Sequence, residues 1–460
     1  MNNSGEGAKV QEIPLTRWQK KASLWLFIMG VFSATQVYIF GCIGISEIVV
    51  FAIAPYIYWQ DYKTLHQDGF MPFFCLVFLN MVGCVVASTY YGARPIIIIK
   101  GLMTLYSMFA ITVVFHRLLR GNYYGLRWFL LGTVVSGIIK PFGFNPKITT
   151  SSTRTIVMET EDIETQMAHP LFWTGRLTQL LNTIVTGWYW HLPIIVGYIG
   201  LFLSALIITS VTVSGRAAIG VSFAGLILLT IAGKRRSGLL RLRKHIVMLF
   251  CGMILIALSI KVGYVALVRS GALGEQAISK YERQTRSGSG LLDFVRSGRA
   301  EFFIGLTAII ENPILGYGVI PIDDNGYVEK YFAEHATIED YENLLRFGSY
   351  NDIDGVRLIP SHSHIIGFWI SNGIFGLILW VYILKILFDY YRYTIDSLPQ
   401  VFPFVCFMTP SIVWSIFFNP YTGRFGIPLL VTCILSAKAA WRSIPVSDPV
   451  DMGLVDGYQR

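Results

Sequence analysis

Two histidines stand where a polar stretch gives way to an apolar run. Residues 361–373 read SHSHIIGFWISNG, with His362 and His364 near the front. An imidazole titrates near pH 6.5, which suits it to accept a proton from an attacking hydroxyl group. Positions two apart on a helix differ by about 200°, so the two side chains cannot share one face. The pair therefore supplies at most one residue to a given site.

Two arginines occur in identical tripeptides, Ser214-Gly215-Arg216 and Ser297-Gly298-Arg299. Both lie at or near the start of a predicted helix, where free N–H groups and the helix dipole favour an anion. The guanidinium group adds a planar fork that matches phosphate oxygens. Two such forks predict a clamp for pyrophosphate. The alternative is that each arginine merely extends from the membrane boundary to the water interface.

The composition is that of a membrane protein. Hydrophobic residues make up 53% of the 460 residues, charged residues only 14%, and the mean hydropathy is +0.54. A soluble domain carries about 25% charged residues. We therefore predict an all-α polytopic protein embedded in the lipid bilayer. The net charge of +9 then sets orientation on the cytoplasmic side rather than indicating nucleic-acid binding.

Eleven apolar runs approach the length of about 20 residues that a membrane-spanning helix needs. They cover residues 23–41, 43–59, 71–89, 94–115, 125–143, 192–213, 217–233, 246–268, 363–387, 400–418 and 424–440.

The distribution of cations requires one more crossing. The stretch 234–245 holds six Lys and Arg residues and should be cytoplasmic, as should the N-terminal Lys20 and Lys21. Eleven crossings would put 234–245 outside. The polar-studded stretch 171–191, which contains Asn182, restores the parity if it crosses and lines an internal cavity. We predict about 12 transmembrane helices with both termini in the cytoplasm.

The predicted organisation has five parts. They are a cytoplasmic N-terminal tail (1–22), transmembrane helices 1–8 (23–269), a large periplasmic loop (270–360), the region of helices 9–12 with the last three spans (361–441), and a cytoplasmic C-terminal tail (442–460).

The loop 270–360 is too long to be a simple connection, and loops of this length are usually functional. It carries enough aromatic residues to pack against another element. Six basic and three acidic residues lie between Arg269 and Ala300, whereas ten acidic and three basic residues lie between Glu311 and Arg357. The loop surface is either simply solvated, or its basic part faces an anionic ligand beneath an acidic cap.

Three local features surround the candidate residues. The stretch ENPILGYGV (311–319) predicts a turn that brings the loop back to the membrane. Ser361 is a candidate N-cap that would hold His362 in the first helical turn. Asp293 and Glu301 flank Arg299 and either orient it or belong to the loop surface.

The order of these motifs resembles the bacterial O-antigen ligase and polysaccharide polymerase superfamily. An arginine-bearing tripeptide opens a mid-chain helix in SGRAAIG (214–220). A second arginine and a P-x-x-G-x-G turn follow in the outer loop, in SGRAEFF…ENPILGYG (297–318). The third element, SHSHIIGFWISNGIFGL (361–377), has His362 in the motif position and Gly373 eleven residues later.

The resemblance implies a glycosyltransferase with a GT-C-like fold that uses no metal or cofactor. The donor would be a glycan on undecaprenyl pyrophosphate at the periplasmic face of the bacterial inner membrane. His362 would be catalytic and Arg216 and Arg299 would bind the donor pyrophosphate, with Ser214, Ser297, Glu301, His364 and Asn182 in supporting roles. Direct attack on an α-linked donor would invert its configuration.

The sequence departs from the family pattern at a few positions and leaves the acceptor open. Ser363 and Ser371 stand where Asn and an acidic residue are usual, and Asn182 is at most a remnant of an Asn-rich motif. The acceptor is lipid A–core in a ligase of lipopolysaccharide synthesis and a second lipid-linked repeat unit in an O-antigen or exopolysaccharide polymerase. The alternative from another class is a polysaccharide or lipid-linked glycan transporter or flippase. Transporters usually show internal repeats and mid-membrane charges, and the sequence has no clear repeat.

Overall fold

The structure is a computed structural model that describes much of the chain. The described residues are 16–34, 36–38, 42–139, 148–149, 195–199, 201, 216–234, 270–271, 300–335, 358–361, 363–398, 400–418 and 425–443. Most of them are helical. The longer helices pack side by side, and their apolar faces form one extended core.

The helices are numbered in chain order over the described residues. They are α1 (Arg17–Val31), α2 (Ile45–Gln67), α3 (Met71–Tyr90), α4 (Pro95–Leu119), α5 (Leu126–Ile139), α6 (Arg216–Lys234), α7 (Ala300–Glu311), α8 (Tyr327–His335), α9 (His364–Asn372), α10 (Ile374–Ser397), α11 (Phe402–Phe418) and α12 (Gly426–Arg442).

Three short strands qualify the prediction of an all-α chain. They are β1 (Gln36–Tyr38), β2 (Cys42–Gly44) and β3 (Ile148–Thr149). Strand β1 pairs antiparallel with β2 and parallel with β3. The prediction of one span over 23–41 is therefore wrong, because α1 ends at Val31 and the aromatic and β-branched residues beyond it favour extended backbone.

Helix α1 also begins inside the predicted tail 1–22. The Gln19 amide donates to the Thr16 side chain (3.2 Å), and the Thr16 amide donates to the Gln19 side chain (2.8 Å). This capping box satisfies two N–H groups that a helix start leaves open. Helix α1 therefore includes residues 17–22 of the predicted tail.

Helices α3 and α4 match the predicted runs 71–89 and 94–115 closely. Among the described helices, these two are long and apolar enough to cross a membrane, while α6, α10 and α11 contain shorter apolar stretches. The runs 171–191 and 246–268 lie outside the described residues. The total of about 12 spans thus stays a prediction.

The run 363–387 is two helices rather than one. Gly373, with φ +62°, ends α9, and α10 begins at the next residue. The ring centroids of His364 and Trp380 lie 4.9 Å apart, so α9 folds back along α10. Apolar periodicity alone cannot show this break, since both helices are apolar.

Several cationic segments meet at one end of the helices. The Gln19 side chain donates to the Gly121 carbonyl (2.6 Å), which joins the start of α1 to the end of α4. Arg117 forms an ion pair with Asp61 (2.6 Å) and lies over the ring of Trp18. We call this the basic end; it also includes Arg120 beside Thr64, His66 in the last turn of α2, and Arg442 beside Gly69. The cations predict that these segments lie on one side of a membrane.

Helices α1 and α5 approach each other through glycines. A Cβ on Gly30 would lie 2.9 Å from the Cα of Gly132, and a Cβ on Gly132 would overlap the carbonyl oxygen of Phe27. Small residues that let two backbones approach are typical of helix contacts in membranes. This contact fixes the first helix of the chain against the fifth.

The described part of the loop 270–360 packs around a core of its own. Helices α7 and α8 cover apolar side chains that also contact α9. The buried members are Ile304, Ala308, Ile309, Tyr317, Tyr327, Val328, Ile359, Ile366 and Ile370. Tyr317 and Tyr327, which belong to the described part of the loop, therefore pack against α9.

Replacing Gly132 by alanine tests the close approach of α1 and α5. Because the added Cβ meets backbone, we expect Gly132→Ala to lower the free energy of unfolding by about 1–3 kcal/mol. The control is Gly220→Ala in α6, where a Cβ has no neighbour within 4 Å and the gain in helix propensity is up to about 1 kcal/mol. Thermal unfolding in detergent micelles measures both. Equal effects would contradict the proposed contact.

Candidate functional site

Only part of the predicted site lies within the described residues. Glu301 and His364 are described with their side chains, and Arg216 is described as the first residue of α6. The other predicted residues lie outside the described residues; they are Asn182, Ser214, Ser297, Arg299 and His362. The site is therefore built from the helices that follow these residues in the chain.

Helices α7 and α9 lie in contact and run in the same direction. Gly305 in the middle of α7 faces Ile366, and a Cβ there would lie 2.7 Å from the Ile366 side chain. Pro313, just after α7, accepts a hydrogen bond from the Trp369 indole (2.8 Å). The two N-terminal ends therefore point the same way. Arg299 immediately precedes α7 in sequence, and His362 precedes α9 by two residues.

The start of α9 differs from the prediction. The N-cap is Ser363, not Ser361, because the Ser363 hydroxyl accepts a hydrogen bond from the Ile366 amide (3.3 Å). The same hydroxyl donates to the Ile416 carbonyl in α11 (2.8 Å). His362 thus precedes the helix instead of lying in its first turn. Ser363, which stands where the family pattern usually has Asn, thus begins the helix and joins it to α11.

His364 is the first residue of α9 and is buried at 4% exposure. Its ring packs on Trp380 in α10. The Phe368 ring packs on the same indole, with the ring centroids 5.3 Å apart. Gly376 makes this approach possible, because a Cβ there would overlap the Phe368 carbonyl oxygen. His364 therefore helps to join α9 to α10.

Glu301 lies in the first turn of α7 and is half-buried. A carboxylate in this position interacts favourably with the helix N-terminus. The residue follows Arg299 by two positions. Its charge can therefore balance a cation near the start of the helix.

The glycine turn interlocks with the break between α9 and α10. Gly316 and Gly318 have φ of +75° and +82°. The amides of Tyr317 and Gly318 donate to the carbonyls of residues 370 and 371 (2.6 and 3.0 Å), and the Ile374 amide donates to the Ile314 carbonyl (3.0 Å). A Cβ on Gly316 would lie 2.5 Å from the Gly373 nitrogen. The spacing of these glycines thus reflects a contact between two backbones.

A cluster of hydroxyl groups braces the turn. The Tyr327 hydroxyl donates to the Glu311 carboxylate (2.5 Å) and lies 2.7 Å from the Tyr317 hydroxyl. Burial raises the pKa of Tyr317, and its contacts with Tyr327 and Glu311 raise it further. Burial and the hydrogen bond to Glu311 also raise the pKa of Tyr327. Both tyrosines therefore stay neutral and hold the turn against α7 and α8.

Helix α3 supplies polar contacts that the sequence analysis missed. The buried Asn80 side chain donates to the Phe375 carbonyl (2.6 Å) and accepts from the Asn372 side chain (2.9 Å). Ser88 accepts a hydrogen bond from the Val319 amide (3.0 Å). The sequence signal for this contact was Asn80, an asparagine within the apolar run 71–89, because a polar group in such a run needs a partner.

Helix α11 links α6 to the two other helices. It contacts α6 and α9, while α9 contacts α7. At one contact, a Cβ on Gly225 in α6 would lie 2.8 Å from the Phe407 carbonyl oxygen in α11. The three helices that begin at or just after Arg216, Arg299 and His362 therefore belong to one connected group.

The N-terminal ends of α7 and α9 lie on the same side of this group. Within the described ranges, no three His, Cys, Asp or Glu side chains are grouped to hold a metal ion. Two parallel helices that begin near basic residues can bind an oxyanion.

No known protein family, curated protein or solved structure matches the chain.

Replacing Gly373 by alanine tests the backbone contact at the break. Its φ of +62° and ψ of −148° lie in a region that glycine adopts almost exclusively, which disfavours alanine by about 1–3 kcal/mol, and overlap with the Ile314 carbonyl adds about 1–3 kcal/mol. Gly121→Ala is a matched control, since Gly121 has φ +67° and a Cβ there meets nothing within 4 Å. Thermal unfolding should show the larger loss for Gly373→Ala. A similar loss for both variants would mean that backbone strain alone explains why position 373 needs glycine.

Proposed function

We propose that the protein is a membrane glycosyltransferase that transfers or polymerises a glycan from an undecaprenyl-pyrophosphate donor at the periplasmic face. The observation that carries this proposal is the parallel packing of α7 and α9. It puts the helix that follows Arg299 beside the helix that follows His362, with α6 and its first residue Arg216 joined to them through α11. The motif order of the O-antigen ligase and polymerase superfamily supports the same assignment of roles.

The reaction is a displacement at the anomeric carbon. The hydroxyl oxygen of the acceptor bonds to this carbon while the bond from carbon to the pyrophosphate oxygen breaks. The hydroxyl proton passes to His362, and the lipid pyrophosphate leaves with the bonding electron pair. Direct attack inverts the configuration at the anomeric carbon. An imidazole with a pKa near 6.5 suits this proton transfer.

The arginines act on the leaving group. Charge grows on the pyrophosphate as its bond to the sugar breaks, and Arg216 and Arg299 stabilise that charge in the transition state. The N-termini of α6 and α7 add favourable dipoles. This stabilisation replaces the usual role of a metal ion in pyrophosphate departure, so the proposed reaction needs no metal.

The proposed location is the bacterial inner membrane. Helices α3 and α4 are long and apolar enough to cross it. Exposed aromatic side chains gather toward both ends of the helices, with Trp59 and Tyr62 near the basic end and Tyr90 and Tyr91 at the other. Tyrosine and tryptophan concentrate at membrane–water interfaces, and cations concentrate on the cytoplasmic side. The basic end would therefore be cytoplasmic and the site periplasmic.

Alanine variants of the three proposed reacting residues test the mechanism. We expect His362→Ala, Arg216→Ala and Arg299→Ala each to reduce glycan transfer by a factor of 10² or more, on the order of the losses from removing a general base or a charge-stabilising donor. The assay uses purified protein with a lipid-linked donor. His66→Ala and Arg442→Ala are controls at the basic end and should keep full activity at the same level of protein in the membrane. A fully active Arg299→Ala variant would rule out the clamp.

A deletion strain separates the two acceptors, and reconstituted protein tests the transport alternative. Loss of a ligase leaves full-length polymer on the lipid carrier, whereas loss of a polymerase leaves single repeat units, and gel analysis distinguishes them. The long outer loop and Ser363 favour a polymerase, so single repeats are expected. Reconstituted protein that moves lipid-linked glycan across the bilayer without transferring it would instead establish a flippase.

A further inference from the structure

The last turn of α7 and the residues directly after it expose apolar side chains to an unusual degree. Ile310 is 78% exposed and Ile314 is 74% exposed, and the exposed Pro313 lies between them. We call residues 310–314 the apolar elbow. Isolated surface apolar residues are common, but large aliphatic side chains gain free energy when they leave water. Two of them on one short turn indicate a partner.

The apolar elbow is held in place by contacts on both sides. The Asn312 side chain donates a hydrogen bond to the Tyr91 hydroxyl (2.9 Å) at the end of α3. The Ile314 carbonyl accepts from the Ile374 amide (3.0 Å) at the start of α10. The ring of Tyr91 also stacks on that of Tyr317, with the ring centroids 5.7 Å apart. The elbow is therefore fixed directly at the ends of two long helices.

The exposed apolar faces of those helices lead up to the elbow. On α3, Phe78, Val82, Val86 and Tyr90 are exposed and recur every four residues, so they form one stripe that ends at Tyr90. On α10, Ile378, Val381 and Phe388 are exposed beyond Ile374. Ile310 and Ile314 thus continue two apolar surfaces that would face lipid if α3 and α10 span the membrane.

The residues beside the elbow have the composition of a membrane interface. Tyr90 is 73% exposed and Tyr91 is exposed as well. Arg94 and Lys100 are exposed at the start of α4, directly after this end of α3. Aromatic rings and cations together suit the level of lipid headgroups, where the rings sit at the boundary and the cations meet phosphate groups.

We infer that the apolar elbow inserts Ile310 and Ile314 into the boundary between headgroups and acyl chains of the leaflet on the site's side. This inference rests on the proposed membrane location of α3 and α10. The insertion ties the end of α7 to the lipid surface.

Photocrosslinking in native membranes tests the insertion. A benzoylphenylalanine residue replaces Ile310 or, in a second variant, Ile314, and mass spectrometry identifies the adducts after irradiation. Both side chains are exposed, so the bulky group fits without repacking. We expect phospholipid adducts at both positions. Val82 on the α3 stripe is the positive control, and the exposed Asp324 in the same loop is the aqueous control, with no lipid adduct expected.

The outcomes separate this inference from the proposals on which it depends. Lipid adducts at Val82 without any at Ile310 and Ile314, or adducts there to a second copy of the chain, would overturn the insertion and leave the membrane location standing. Lipid adducts at Asp324 in equal yield would also overturn it. No lipid adduct at Val82 would overturn the membrane location itself. Lipid adducts at Ile310 and Ile314 in a protein without glycan transfer would support the insertion and contradict the enzyme assignment.

Discussion

The candidate site depends on one contact between two stretches of backbone. Gly316 and Gly373 approach so closely that neither position has room for a Cβ, and both have positive φ. Hydrogen bonds from Tyr317 to Ile370 and from Ile374 to Ile314 seal the contact. It fixes the end of α7 against the end of α9. Because the helices are rigid, the same contact sets where their N-terminal ends lie relative to each other.

Polar groups within apolar helices hold this arrangement on the side of α3. Asn80 and Asn372 pair with each other, and Asn80 also holds the Phe375 carbonyl beyond the break. A buried amide without partners is unfavourable by about 1–3 kcal/mol, so these groups favour the one packing that satisfies them. A break in a helix leaves backbone groups unpaired, and side chains from neighbouring helices satisfy them. The cost of interrupting an apolar helix is thereby reduced.

The proposed chemistry needs separate parts of the chain to act together. A pyrophosphate clamp with one arginine could bind the donor, but two arginines on different helices can respond to charge that develops during departure. The link from α6 through α11 to α9 joins those helices, and Ser363 contributes by bonding to Ile416. The proposed insertion of residues 310–314 into lipid would anchor the end of α7 at the membrane surface.

Composition and the order of apolar runs determined that the described part of the chain is mostly helical, that α3 and α4 are long apolar helices, and that the described part of the loop 270–360 packs. Arg117 and the start of α1, which were both predicted to be cytoplasmic from their cations, lie at one end of the helices. Only the tertiary structure decided that α9 folds back at Gly373, that Ser363 caps it and that β1 interrupts the first run. Apolar periodicity reports which side chains avoid water, and it is the same for a continuous helix and for two helices in contact. The direction of the backbone after a glycine depends on distant partners, here Ile314 and Asn80, which no local pattern encodes.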